Sequence, residues 1–238
     1  MNDVARPKFT FYGHATVRCD LPSGEVVLID PWLGENPACP DELKQLDRVD
    51  AILITHGHFD HVGDTLDLVE KHDPKIVVAN FEVGHWLQSK GVEACSPMHL
   101  GGTQEVLGLQ VTMVRADHGG GITDGDRLIC GGPAAGYIVR TPSSFTFYHA
   151  GDTALFSDMQ LFCELYRPTL AFLPIGDHFT MDPNQAARAC RYLGVRQVVP
   201  IHWGTFPLLT GTPEQLEKAV GDLGINCEVH RMEAGDTL

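Results

Sequence analysis

The period of the hydrophobic pattern changes along the chain. Residues 8–12, 15–20 and 26–29 read as strands, the first two alternating apolar and polar side chains, with Pro22-Ser23-Gly24 turning between the last two, and predict a β-meander. After Asp30-Pro31-Trp32 the pattern becomes short unbroken apolar runs at 51–55 and 76–79, which suit strands buried on both faces. Between those runs, residues 62–72 place apolar side chains at helical spacing. A second meander is predicted at 104–106, 109–116, 134–140 and 144–149. Strands at 170–175 and 197–201 then flank a helix at 183–193, a helix spans 212–223, and a strand at 226–232 follows it. Thr212-Pro213-Glu214-Gln215 supplies an N-cap, a proline at the first helical position and a glutamine at the third, which marks that helix start well.

Strands followed by alternating strands and helices, and then the same again, predict two similar halves. The expected architecture is mixed α/β, a four-layer αββα sandwich in one domain over residues 1–238, a length ample for a buried core. Residues 119–136 hold seven glycines and read as a long loop between two histidine-bearing segments, a candidate lid or wall.

Composition narrows the classes of function. With 43% apolar and 20% charged residues the chain is not an extended disordered one. A formal net charge of −14 and the lack of any long basic cluster disfavour nucleic acid as a partner, because that affinity rests on Lys and Arg meeting phosphates. Seven cysteines, odd in number and without a Cys-x-x-Cys pair, argue against a disulfide framework or thiolate zinc site. Residues 1–17 lack the regions of a secretory signal, and no run approaches eighteen apolar residues, so the expectation is a cytoplasmic protein without a membrane partner.

The chemistry is concentrated after the apolar runs. His56-Gly57-His58-Phe59-Asp60-His61 packs three imidazoles and a carboxylate into six positions directly after a buried strand. Neutral imidazoles and carboxylates together suit Zn, Fe, Mn or Co, and Gly57 permits the tight path. His118, Asp152 and His202 each close a later predicted strand, so the same end of the sheets gathers further ligands.

These residues resemble the metallo-β-lactamase superfamily, whose signature is an Asp after an early strand, an HxHxDH motif, and then His, Asp and His after successive strands. Asp30, His56-x-His58-x-Asp60-His61, His118, Asp152 and His202 fill those places in order over nearly the whole chain. Gly13-His14-Ala15-Thr16, the run 173–181 and Ile201-His202-Trp203-Gly204-Thr205-Phe206 resemble the small bacterial metal-dependent hydrolase branch, related to ascorbate-6-phosphate lactonases. The resemblance implies two divalent metal ions (Zn, Mn or Fe): His56, His58 and His118 holding one, Asp60, His61 and His202 the other, Asp152 bridging them, and Asp30 fixing an imidazole tautomer behind. It implies hydrolysis of a small ester, lactone or phosphoester by a metal-bridging hydroxide. Asp60, His14 and His178 are the candidate catalytic residues, the two histidines as oxyanion donor or leaving-group acid.

Alternatives remain open at this point. A phosphodiesterase or nuclease would use the same chemistry, and Arg115, Arg127 and Arg140 are the nearby candidates to meet its phosphate. A non-catalytic metal-binding scaffold would be expected to lose a ligand, and none is lost. The acidic replacement that marks flavodiiron oxidoreductases is absent at His58, which favours hydrolysis over redox chemistry. His149 reads as structural, Trp203 and Phe206 as candidate pocket walls, Trp32 and Trp86 as exposed aromatics, and a homo-oligomer as unresolved.

Overall fold

The computed structural model describes residues 6–238. The reading of the N-terminus as lacking a signal falls in part on residues 1–5, outside that range. The first sheet is formed in spatial order by β1 (Lys8–Phe11), β2 (Val17–Asp20), β3 (Val26–Ile29), β4 (Ala51–Leu53), β5 (Ile76–Asn80) and β6 (Cys95–Met98). Its first three strands are antiparallel, and β3 to β6 run parallel.

The second half contributes β7 (Thr103–Val106), β8 (Leu109–Arg115), β9 (Gly121–Asp124), β10 (Arg127–Cys130), β11 (Ala135–Arg140), β12 (Thr146–His149), β13 (Leu170–Pro174), β14 (Gln197–Ile201) and β15 (Glu228–Val229). Seven of them form a sheet in the order β15-β14-β13-β12-β11-β8-β7, while β9 and β10 pair only with each other. Helices are α1 (Phe59–Val62), α2 (Thr65–His72), α3 (Phe81–Ser89), α4 (Met159–Tyr166), α5 (Pro183–Leu193) and α6 (Pro213–Asp222). Among the described residues no helix is long and apolar enough to cross a membrane.

The two-residue period of the strands builds the four layers. Val27, Ile29, Ala51 and Leu53 point to the inner core, where they meet Met113, Tyr137, Phe172 and Val199 of the other sheet. Their neighbours Leu28, Ile52 and Ile54 point outward and pack under Leu68 of α2 and Val83 and Leu87 of α3. On the far side Ile138, Ala171, Leu173 and Val198 pack against Phe162, Cys190 and Leu216 of α4, α5 and α6. The expected αββα sandwich is therefore the observed one. Tyr137 crosses between the sheets, and its buried hydroxyl donates to Ile54 O at 2.7 Å, just before the histidine motif.

Several expected elements differ. The helix expected at 62–72 starts later, as α2 at Thr65; Val62 instead ends the one-turn α1, and between the two the Asp64 carboxylate accepts the Leu33 and Gly34 amides. The predicted loop at 119–136 contains the β9–β10 hairpin, closed by a two-residue turn with Gly125 at φ +58°. Asn80 ties down its base, donating to Gly131 O and Pro133 O. The strand at 226–232 shrinks to Glu228–Val229, an edge strand. Helices α3 and α4 and strand β6 had no predicted counterpart.

Candidate metal centre

Every ligand candidate sits where a same-direction strand ends. The parallel pair β3 and β4 delivers Asp30 and the 56–61 motif, and the parallel β12, β13 and β14 carry Asp152 and His202 to the same edge. Strand β8 is antiparallel to β11 and β11 to β12, so β8 runs with β12 and brings His118 there as well. Ligands converge at the carboxyl ends of such strands because the loops beyond them share one face.

Local hydrogen bonds fix the loops. Three turns at the site use left-handed backbone at non-glycine residues, His14 (φ +57°), Asp30 (φ +49°) and His202 (φ +56°). Buried Thr16 holds the second turn by donating to Asp30 O at 2.7 Å, and the His202 amide donates to His14 O at 2.6 Å. Thr153 accepts the Asp117 amide and so ties the His118 loop to the Asp152 loop. A side chain at Gly57 would place its Cβ 2.4 Å from Ile122 Cγ1, so glycine lets the hairpin lie on the motif.

Two donor groups result. His56, His58, His118 and Asp152 form one, and His14, Asp60, His61 and His202 the other, each with ligand atoms within 4.8 Å of one another. Asp152 Oδ2 joins them, lying 3.0 Å from His202 Nε2, 3.4 Å from His61 Nε2, 3.5 Å from His118 Nε2 and 4.0 Å from His56 Nε2. The structure thus brings together all seven expected ligands and adds His14, whose Nε2 is 3.0 Å from Asp60 Oδ2.

Behind the ligands, one carboxylate sets two tautomers. Asp30, fully buried, accepts from His61 Nδ1 at 2.8 Å, the Thr55 hydroxyl at 2.7 Å and the Thr55 amide at 2.8 Å. Because the Thr55 hydroxyl gives its proton to Asp30, it accepts from His56 Nδ1 at 3.0 Å. Both imidazoles are left with Nε2 turned toward Asp152. Thr55 was not singled out by sequence reasoning, although it stands directly before the motif.

The donor set fits cations. His61 Nε2 and Asp152 Oδ1 are buried without a hydrogen-bond partner inside a cluster of imidazoles and carboxylates, where a cation would satisfy both. Electrostatics agree. Burial disfavours a charged His61, yet Asp152, Asp30 and Asp60 outweigh it and hold its pKa well above the usual histidine value. His202 is pushed up to about 9 against burial by Asp152 and Asp60. Burial and then His61 pull His56 well down, while burial foremost lowers His58 and His118. Asp152, though buried, is held well below the carboxylate range by His202 and His61. Two carboxylates facing this many imidazoles draw in positive charge, as protons when no metal is bound.

The other candidates separate. His14 is buried, its pKa lowered to about 4 by burial and by His202, and both ring nitrogens are engaged: Nε2 with Asp60 and Nδ1 with Thr205 Oγ1 at 2.9 Å. His178 is exposed, stacks edge-on against Phe179, and is not brought into either group. His149 is buried and structural, bonding Ala15 O at 3.1 Å and accepting the Gly151 amide. Trp32 is buried, not exposed, because it is wedged against His14, Phe59 and Phe206. Trp203 packs on the helix-side core and donates to Pro200 O, whereas Phe206 does line the cavity. That cavity, about 540 Å³, opens over His58, Asp60, His118, Asp152 and His202.

Fold, ligand order and donor chemistry together define a metallo-β-lactamase-type metal site, and the comparisons agree: a profile described as "Beta-lactamase superfamily domain" matches residues 25–203. The chain belongs to that superfamily and, within it, to the UPF0173 metal-dependent hydrolases. It is 52% identical over 235 residues to the UPF0173 metal-dependent hydrolase of Koribacter versatilis, covering 99% of each chain. It is 50% identical to that of Rubrobacter xylanophilus, covering 97% of this chain and 96% of the other. Among solved structures, Igni18, a metallo hydrolase from Ignicoccus hospitalis, aligns with TM-score 0.86 and 32% identity over 98% of this chain and 97% of its own. The chain is accordingly a metal-dependent hydrolase, and the scaffold alternative falls.

Proposed function

We propose that the protein is a dinuclear hydrolase of a small ester, lactone or phosphoester. The observation that carries this reading is Asp152 Oδ2, shared within 3.0 to 4.0 Å by four imidazoles drawn from both donor groups. His56, His58 and His118 would hold one cation, Asp60, His61 and His202 the other, and Asp152 both. Bound there, Zn, Mn or Fe would lower the pKa of a shared water and polarise the scissile bond.

The chain's own residues prepare that chemistry. Asp30 keeps His61 and, through Thr55, His56 in the tautomer that presents Nε2. His14 is a positioning residue. A carboxylate only accepts, so His14 donates from Nε2 to Asp60 Oδ2, while its Nδ1 is hydrogen-bonded to Thr205 Oγ1, whose hydroxyl also reaches Trp203 O. With both nitrogens committed, His14 orients Asp60 and has no proton left for a leaving group. Exposed His178 lies outside the donor groups and is assigned no catalytic role here.

Elemental analysis of chelator-free protein, followed by turnover on lactone, ester and phosphodiester panels with the metal restored, tests the reading. Two cations per chain with turnover on one class support it. One cation or none after reconstitution refutes the dinuclear assignment.

A further inference from the structure

The walls of the cavity differ in kind from its floor. Eight large hydrophobic side chains are strongly exposed among the described residues, and three of them line this cavity: Phe59 (54%), Phe179 (51%) and Leu208 (52%). They come from three separate segments, the start of α1, the loop after β13 and the loop after β14. Phe206 and Pro207 complete the apolar surface.

Exposed apolar groups that converge from distant parts of a chain mark a binding surface. This one is braced. Buried Trp32 meets Phe59 edge-on at 5.7 Å and Phe206 at 5.8 Å, and the His14 ring meets Phe206 edge-on at 5.7 Å. The aromatic wall is therefore in contact with His14, the residue that bonds Asp60.

Charge is missing from the wall. Among the described residues no Lys or Arg lines the cavity, and Thr123 is its one polar residue beyond the ligand candidates. Arg115 lies instead beside Asp117 at 3.8 Å and over the Phe156 ring, and Arg140 donates to Ser144. Phosphate oxygens not held by the metals would face Phe and Leu side chains with no cation and only the Thr123 hydroxyl as a donor, so most of their desolvation goes without compensation. A neutral ester avoids that penalty.

We infer that the substrate is an uncharged carboxylic ester whose apolar acyl chain lies on the Phe59, Phe206 and Leu208 wall, rather than a phosphoester. The inference rests on the hydrolytic reading above and narrows it. In the reaction, water's oxygen joins the acyl carbon, the acyl C–O bond breaks, the alcohol leaves with a proton, and the carboxylic acid gives up its own proton to solvent. No oxidant or reductant takes part.

The test uses the metal-reconstituted protein with p-nitrophenyl acetate, butyrate and hexanoate against p-nitrophenyl phosphate and bis(p-nitrophenyl) phosphate. Burial of each methylene is expected to raise kcat/KM about fourfold. Leu208→Asp should flatten that dependence while far-UV circular dichroism and metal content stay unchanged. A flat chain-length series in the wild type, or a phosphoester turned over faster than the hexanoate, overturns the inference. Calorimetric titration with 1-octanol, a neutral unreactive probe, separates its failure from failure of the hydrolytic reading. Saturable binding weakened at least tenfold by Leu208→Asp supports the apolar wall even if no ester is turned over, and no binding refutes it.

Discussion

Asp30→Asn is the sharpest perturbation of the centre, because the side chain keeps its size while losing its charge and one acceptor. Asparagine visits the left-handed region readily, so φ +49° at this position is not the source of any cost. Three donors now converge on the carboxylate, at 2.7 to 2.8 Å, in a fully buried place. In one orientation the new amide faces the Thr55 N–H, donor against donor. In the other it faces His61 Nδ1, which then accepts only if the ring proton moves to Nε2, the ligand atom. One orphaned buried donor costs about 1–3 kcal/mol, and two charge-assisted bonds reduced to neutral ones lose about 1 kcal/mol each. The expected loss is about 3–5 kcal/mol, large but within the stability of an ordinary domain. Metal affinity should fall about 10- to 100-fold at each cation, since the relay reaches both His61 and His56. Urea unfolding of metal-free protein reads the first quantity and chelator competition the second. If the variant unfolds within 1 kcal/mol of wild type and keeps both affinities within threefold, Asp30 does not set the tautomers.

Other outcomes follow from the same geometry. His58 is half-buried and belongs only to the first donor group, so His58→Ala should lower bound metal and abolish turnover while metal-free stability changes by less than about 1 kcal/mol; full metal content would contradict the assignment. Gly57→Ala brings a Cβ within 2.4 Å of Ile122 Cγ1 and should cost about 1–3 kcal/mol, with faster amide exchange across 121–130 and partial recovery on adding Ile122→Ala. In metal-free protein the His202 pKa is raised from 6.5 to about 9. Its own contribution is therefore complete below pH 6.5 and lost as pH climbs to 9, about 3 kcal/mol; because His14, His56, His58 and His118 shift the other way over the same window, the check is the NMR titration of the His202 ring itself in metal-free protein. A His202 ring that titrates at or below 6.5 would show that Asp152 and Asp60 do not charge it.

The layers were legible because each inner strand has one face on the shared core and the other under helices. Val27, Leu28 and Ile29 go alternately to the inner and outer cores, and an unbroken apolar run is the mark of that position. The elements that escaped carry local signals against themselves. Helix α3 has Gly84 in its middle, and a Cβ there would press within 2.8 Å of Pro97 Cγ, so the glycine serves packing, not a turn. Strand β6 contains that proline and survives as a strand because it lies at the sheet edge. The β9–β10 hairpin hides among glycines whose role is close backbone approach: a Cβ on Gly120 would lie 1.9 Å from Gly132 O.

The ligands themselves were readable for a related reason. A metal site at strand ends needs each donor just after a buried run, and the two signals, apolar run and then His or Asp, stand next to each other in the chain. What supports the ligands has no such adjacency. Thr205 reaches His14 across 191 positions, and only the closing of the second sheet onto the first brings it there. Trp32 looked exposed beside Asp30, yet it is the brace beneath two aromatic walls. Its partners Phe59 and Phe206 each adjoin a ligand, one inside the motif and one four residues after His202. The same loops that deliver imidazole and carboxylate to the floor therefore deliver the wall, and the rings of His14, Trp32 and Phe206 touch where floor and wall join.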